Sequence, residues 1–304
     1  MLWTEKYRPS KLADIQGQRA FVIDAEHWVV NKEMPNILLY GIAGVGKTAA
    51  SIALVNEILA GNLEGNFFEI NASDDRKLDT VRTKIKEIAS TQSIGDVPFK
   101  IILLDEMDGM TKDAQNALKR VMERYADNVR FVITCNDRHR IIHPLQSRCA
   151  NYQFRRLEPE DMKVVLKNVL ESENHAQKFS DDELETFINH MHGDMRRAIG
   201  ELQACVFSGT TLSRIVEKSL EPYTEILKLI YDKNYDNSLK KVHQLIYDST
   251  DMKTISVNLH DAVMKSDYDS TRKFQLLRVI GETEWRSSNM TPKVLAGWMI
   301  GQMI

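Results

Sequence analysis

The sequence predicts an α/β nucleotide-binding (P-loop) fold with a parallel sheet, followed by a small helical domain and an all-α domain. Three observations predict it. Short apolar runs alternate with stretches of helical period from Asn36 to Phe154, a glycine-rich loop ending in Lys-Thr follows the first run, and the strand signal stops after Leu157. Apolar runs too short for helices, alternating with helices, mark a sheet covered on both faces.

In chain order, "NILLY" reads as a strand followed by a helix from Lys47, and "FFEIN" as a strand followed by a helix from about Asp75. "KIILLD" precedes a helix from about Thr111, and "VRFVIT" is a further strand. Beyond Leu157, "EPEDMKVVLKNVLESE", "SDDELETFINHMH" and "GDMRRAIGELQACVF" read as helices, each with an acidic or capping residue near its start. This region runs to about Gly209. "SGTTLSRIVEKSLEP" reads as a connection, and Tyr223 to Ile304 carries helical periodicity, as in Ile226, Leu229 and Ile230, with loops near Lys233, Ser249 and Asn289. The expected division is therefore 1–156, 157–219 including a linker, and 220–304.

A chain of 304 residues, 43% of them hydrophobic, is long enough for two or three domains with cores. Its net charge of -3 carries no global basic signal. Any nucleic-acid contact must then come from local placement of Lys and Arg. Cys135, Cys149 and Cys205 stand far apart, which excludes a four-cysteine zinc module and fits a reducing compartment. The first residues carry charges where a signal peptide needs an apolar stretch, and no run approaches the ~18 apolar residues of a membrane span. The expectation is a soluble, intracellular protein with no membrane contact.

"GIAGVGKT" follows a strand and opens a helix, the context required of a phosphate-binding loop. Gly41, Ile42, Ala43, Gly44, Val45 and Gly46 form the loop whose backbone amides wrap the phosphates of ATP. Lys47 supplies a point charge at the outer phosphates, and Thr48 offers a hydroxyl to Mg²⁺. "KIILLDE" puts Asp105 and Glu106 at the carboxyl end of a strand, where an open parallel sheet has its ligand crevice. Asp105 suits the Mg²⁺ shell, and Glu106 suits the general base that orients and deprotonates water. Asn136 ends the next strand, well placed for the attacking water or the γ-phosphate, although Asn is also a common turn residue. Arg196 and Arg197 are adjacent on a helix and diverge by about 100°, so only one can point into a shared cleft.

Residues 76 to 86, "RKLDTVRTKIK", hold five basic residues against one acid. Leu78, Val81, Ile85 and Ile88 form an apolar stripe, leaving Arg82 and Lys86 one turn apart on an adjacent solvent face. A solvated surface accounts for such a run by itself.

Together these residues resemble the AAA-plus ATPases, and within them the small-subunit family of replication factor C, the archaeal and eukaryotic sliding-clamp loader. "WTEKYRP" and "LADIQG" look like the box that lies against adenine, carrying over to Tyr7, Arg8, Pro9 and Ile15. "NASDDR" and "MTKDAQNALKRVMERY" look like the DNA-facing helices, which implies phosphate contacts at Arg76, Arg82, Lys86, Thr111, Lys112 and Gln115. "GDMRRAI" looks like the sensor motif and implies that Arg196 reaches the γ-phosphate.

"SRC" looks like the trans-acting arginine box. Lys47, Asp105, Glu106, Asn136 and Arg196 already cover the phosphates, metal, base and sensor within the chain. Arg148 is then left either as a finger for a neighbouring subunit's γ-phosphate or as a salt bridge in its own domain.

The resemblance implies an ATPase subunit that opens a ring-shaped clamp and places it on primer-template DNA. Its implied partners are the sliding clamp, a larger loader subunit, further copies of the chain in a pentameric ring held by a helical collar, and DNA. The compartment is cytoplasmic or nucleoid for an archaeal or viral host and nuclear for a eukaryotic one. Four positions depart from the pattern: Ile42 and Ala43 replace Pro-Pro, Met107 replaces Ala, and Gly95 replaces an aromatic that docks into the clamp beside Ile94. Other readings are a different AAA-plus DNA-processing motor, for which no insertion is visible between Lys47 and Arg148, or an ATP-dependent scaffold.

Overall fold

The computed structural model describes residues 1–72, 78–95 and 97–304, with side chains at 78–82 and 84 excepted. The chain separates into two compact units, Met1–Phe207 and Ser208–Ile304.

The first unit begins with helices α1 (Trp3–Lys6) and α2 (Arg19–Asn31) and continues through β1 (Ile37–Tyr40), α3 (Lys47–Ile58), β2 (Phe67–Asn71) and α4 (Leu78–Ser90). Then come β3 (Lys100–Asp105), α5 (Lys112–Arg124), β4 (Val129–Cys135), α6 (His143–Gln146) and β5 (Ala150–Gln153). The strands form one parallel sheet in the order β2-β3-β4-β1-β5. Tyr40 pairs with Cys135, and Asn71 pairs with Asp105, so the polar strand ends share one edge.

Period-two alternation sends successive strand residues to opposite faces. Leu38, Ile102, Leu104 and Ile133 pack on one face with Ile85 of α4 and Leu118 and Met122 of α5. Leu39, Ile101, Leu103 and Val132 pack on the other with Phe21 of α2 and Leu54 of α3. Each such burial contributes about 1.5–3 kcal/mol, which holds the edge with the polar strand ends rigid.

Three helices complete this unit: α7 (Pro159–Ser172), α8 (Asp181–Met191) and α9 (Met195–Ser208). Ser180 and Glu183 close a capping box at the start of α8. Trp3 is buried, its backbone N–H donates to Gln203 Oε1 (2.9 Å), and Gln203 Nε2 donates to Met1 O (3.1 Å), tying the amino terminus to α9.

The second unit is helical: α10 (Leu212–Tyr231), α11 (Tyr235–Tyr247), α12 (Met252–Lys265), α13 (Ser270–Arg286) and α14 (Pro292–Met303). The expected connection over 208–222 is corrected here, because α10 runs through it. Thr211 caps the helix by accepting the Arg214 N–H. Pro222 lies inside, where its missing N–H and its ring cost about 3 kcal/mol. Tyr223, Ile226, Leu227 and Ile230 sit in the unit's core, and that burial outweighs the local penalty.

Candidate functional site

The phosphate loop depends on glycine at two close approaches. A Cβ on Gly41 would lie 2.1 Å from the Phe154 carbonyl oxygen. One on Gly44 would lie 2.2 Å from Asp194 Oδ1, and Gly44 also has φ +80, a region that disfavours side chains. Gly46 is the N-cap of α3, so the loop ends at a helix N-terminus, a natural anion site.

Lys47 is buried and donates to Gly41 O (2.7 Å), Ile42 O (2.8 Å) and Asn136 Oδ1 (3.0 Å). Burial pushes its pKa below the usual 10.5, a shift opposed by the nearby Cys135, Asp105, Asp108 and Glu106. Its direct acceptors are neutral dipoles. A buried ammonium held this way is poised for an anionic partner, because pairing offsets the cost of its desolvation.

Next to it, Thr48 Oγ1 donates to both Asp105 oxygens at 3.1 Å. Thr134 Oγ1 also donates to Asp105 and accepts the Glu106 N–H (3.1 Å). One hydroxyl on β4 thereby fixes the carboxylate that ends β3 and the backbone just beyond it. Glu106 sits at φ +54, an uncommon conformation for a residue with a side chain and one that clusters at functional sites. Thr48 and Asp105 present adjacent oxygen donors, the chemistry that fits Mg²⁺.

These groups open on a cavity of about 600 Å³, within the usual range for a small-molecule site. Tyr7, Arg8, Pro9 and Ile15 line it from the amino-terminal segment, Ala43 to Thr48 from the loop, Asp105, Glu106 and Asn136 from the sheet edge, and Arg196 from α9. Gly41 and Ile42 contribute instead the carbonyls that hold Lys47. Tyr7 Oη donates to Glu173 Oε1 (2.7 Å) and Lys6 Nζ does the same (2.6 Å), securing the amino-terminal segment to the end of α7. Asp194 accepts the Arg197 N–H (3.0 Å), which caps α9. Thr134, Asp194 and Glu173 were not legible as site residues. A Thr two positions before Asn136, pointing to the same side of the strand, is the one sequence signal that points to any of them.

Arg148 lies outside the cavity, solvent-exposed in the turn after α6. Its Nη1 donates to Pro144 O (2.7 Å) and its Nη2 pairs with the Glu123 carboxylate. The ion pair within its own domain is thus present in this chain.

Of the residues expected to face DNA, Arg76 and the side chain of Arg82 lie outside the described residues, as do the side chains of Leu78 and Val81. Ile85 and Ile88 are buried and Lys86 is exposed, as the apolar stripe requires. Lys86 shares a groove of about 360 Å³ with Arg120 and Arg124 of α5. Thr111 caps α5, accepting the Ala114 N–H (3.4 Å), and Lys112 is exposed.

Gln115 requires correction. Its relative exposure is 0%, its Nε2 donates to Met110 O (3.1 Å) and Arg140 O (3.0 Å), and its Oε1 accepts the Ile142 N–H (2.8 Å). Helical phase turns this position inward, where it fastens α5 to the segment after β4 and leaves no reach toward a phosphate.

The loop after α4 exposes Ile94 (62%), yet its backbone is held. Buried Asn66 accepts the Ile94 N–H (2.8 Å) and donates to Ile94 O (2.8 Å). Gly95 follows at φ +79.

Among the described residues, no helix is long and apolar enough to cross a membrane. Residues 37–157 match the ATPase family associated with various cellular activities (AAA), and residues 221–292 match the replication factor C C-terminal domain. The replication factor C small subunit of Methanococcus maripaludis (strain C7) is 38% identical over 93% of this chain and 92% of its own length. That of Saccharolobus solfataricus is 38% identical over 94% of this chain and 88% of its own. Among solved structures, the Thermotoga maritima RuvB Holliday junction branch migration motor superposes with a TM-score of 0.58 at 17% identity, covering 83% of this chain and 85% of that one. At that identity the likeness concerns the fold alone. The chain belongs to the replication factor C small-subunit family of AAA ATPases.

Proposed function

We propose that this chain is an ATPase subunit of a clamp loader that opens a sliding clamp and loads it onto primer-template DNA during replication. The observation that carries the reading is the convergence of Lys47, Thr48, Asp105, Glu106, Asn136 and Arg196 on one cavity, in a chain that also holds the replication factor C C-terminal domain. That second domain favours a clamp loader over a translocating motor. The proposed roles are an ATP-binding domain over 1–156, a helical lid over 157–207 and an oligomerising collar over 208–304, the last boundary replacing the expected one at 219/220 because α10 is continuous across it.

In the proposed chemistry, Tyr7, Arg8, Pro9 and Ile15 receive the adenine. Lys47 exchanges its loop carbonyls for the outer phosphate oxygens. Thr48 and Asp105 would hold Mg²⁺, which supplies neutralisation of phosphate charge when bound. Glu106 accepts the proton of the attacking water, while Asn136 and Arg196 set the γ-phosphate. Asp105, Glu106 and Asn136 stand at the ends of packed strands, while Lys47 opens α3 and Arg196 lies on α9, so much of the orientation is set before ATP arrives.

Arg148 is proposed to act in trans on the γ-phosphate of a neighbouring copy or of the larger subunit. Arg76, Arg82, Lys86, Thr111 and Lys112 are proposed to track DNA phosphates without reading bases. Ile94 is proposed to touch the clamp, without an aromatic at Gly95 to extend the contact. The assembly works inside the cell, in cytoplasm or nucleoid of an archaeal or viral host or in a eukaryotic nucleus.

The test is co-purification with candidate large-subunit and clamp partners, followed by ATPase assay with primer-template DNA. Association and DNA-stimulated turnover that Lys47→Ala abolishes are expected. Failure to associate with any clamp would overturn the reading.

A further inference from the structure

The backbone carrying Arg148 is fixed from several sides. Leu145 is fully buried. Gln146 Nε2 donates to Arg138 O (3.1 Å) and Ile141 O (2.7 Å), and Asn151 Nδ2 donates to Gln146 O (2.8 Å). A long arginine on such a base still samples many rotamers unless its head is held as well. Here it is held at two points, the Pro144 carbonyl and the Glu123 carboxylate. A guanidinium has five N–H donors, so these two bonds leave three to offer elsewhere.

We infer that Glu123 is a positioning residue for Arg148: it holds the guanidinium in one orientation while leaving donors free for a phosphate oxygen supplied by another subunit. This rests on the reading that Arg148 acts in trans. Glu123 suits the task because it stands in the last turn of α5, whose other end Gln115 fastens to the core. The ion pair is also solvent-exposed, hence weak, and it can yield to a doubly charged phosphate without a large penalty. A buried pair would lock the arginine, whereas no pair would leave it disordered.

Nothing in the chemistry of the chain's own ATP site touches Glu123, so its replacement separates the two roles. In the assembly that the full chain forms with its co-purifying subunits, Arg148→Ala is expected to lower kcat by about 10³ with KM for ATP unchanged. Glu123→Ala is expected to lower kcat about 10-fold, again at constant KM, with Glu123→Asp recovering most of the loss. Glu123→Ala combined with Arg148→Ala should be no slower than Arg148→Ala alone, because the carboxylate acts only through the arginine. In the isolated chain, rotation about the Arg148 Cζ–Nη bond, read by NMR, should speed up in Glu123→Ala while the melting temperature stays put.

If Arg148→Ala turns over like the parent, the trans role fails and the inference fails with it. If Arg148→Ala is slow but Glu123→Ala turns over normally or faster, the trans role stands and the positioning role is overturned.

Discussion

Two regions of the first unit handle charge in opposite ways. In the cavity, Lys47 and Thr134 are buried and Asp105 is half-buried; Lys47 donates to Asn136, Thr134 donates to Asp105, and the Glu106 backbone is held by Thr134. On the outside, Arg148, Lys86 and Lys112 stand in solvent, with Arg148 held by the Pro144 carbonyl and an exposed carboxylate. The difference separates what the chain offers a small ligand from what it can offer another macromolecule. A buried cation beside oxygen donors is poised for a small anionic ligand. Exposed cations gain little until another molecule removes the water around them.

At neutral pH, substitutions in the two regions should differ in the size of their effects. Glu106→Gln keeps the shape of the cavity but removes the proposed base, so turnover should fall by about 10²–10⁴ while ATP binding, read by calorimetry, persists. Gln115→Ala should cost about 1–3 kcal/mol in denaturant unfolding, since it strands the Ile142 N–H and two carbonyls. On the outward face, Lys86→Ala should leave stability within about 0.5 kcal/mol. In the assembled complex it should reduce the slope of log affinity for primer-template DNA against log salt by about 0.9 for each phosphate left unneutralised.

The last effect is silent at neutral pH and concerns the thiols. Burial pushes Cys135 and Cys149 up from 9.0 to about 12. The folded chain then keeps protons that the unfolded chain releases, so this contribution is complete below pH 9 and lost as pH rises from 9 toward 12. Unfolding midpoints should fall across that window, and replacing both residues by Ala should make the fall shallower, the remainder coming from Tyr7, Tyr152 and Tyr268, whose phenols burial also pushes up. The shift at Lys47 has the opposite sign, since its lowered pKa makes stability rise as pH approaches 10.5. At pH 8 both native thiols should resist alkylation.

The strands, the phosphate loop and the acidic strand end were legible because their signals are local: alternating apolar runs, glycines at fixed spacing, and carboxylates where a run stops. Thr134 was not, since its bond to Asp105 depends on β4 lying beside β3 in one register. Gln115 looked like its polar neighbour Lys112, and only helical phase against the core separates them. Asp194 meets Gly44 through the packing of α9 on the loop, an approach between residues about 150 apart in sequence that no pattern encodes. Pro222 is a local helix breaker, and tertiary burial outweighs it. β5 and α2 carry little local signal, the first being a half-buried edge strand and the second lying ahead of the first apolar run.

The central claim is that one chain's cavity is completed by another chain's outward face. Two variants test it: Lys47→Ala, which lacks a working cavity but keeps Arg148, and Arg148→Ala, which keeps the cavity but lacks the arginine. Assemblies made with either variant alone should hydrolyse ATP slowly, and assemblies made from an equal mixture should regain turnover where an intact cavity meets an intact arginine. Full turnover by Arg148→Ala alone, or no recovery in the mixture, would contradict the account.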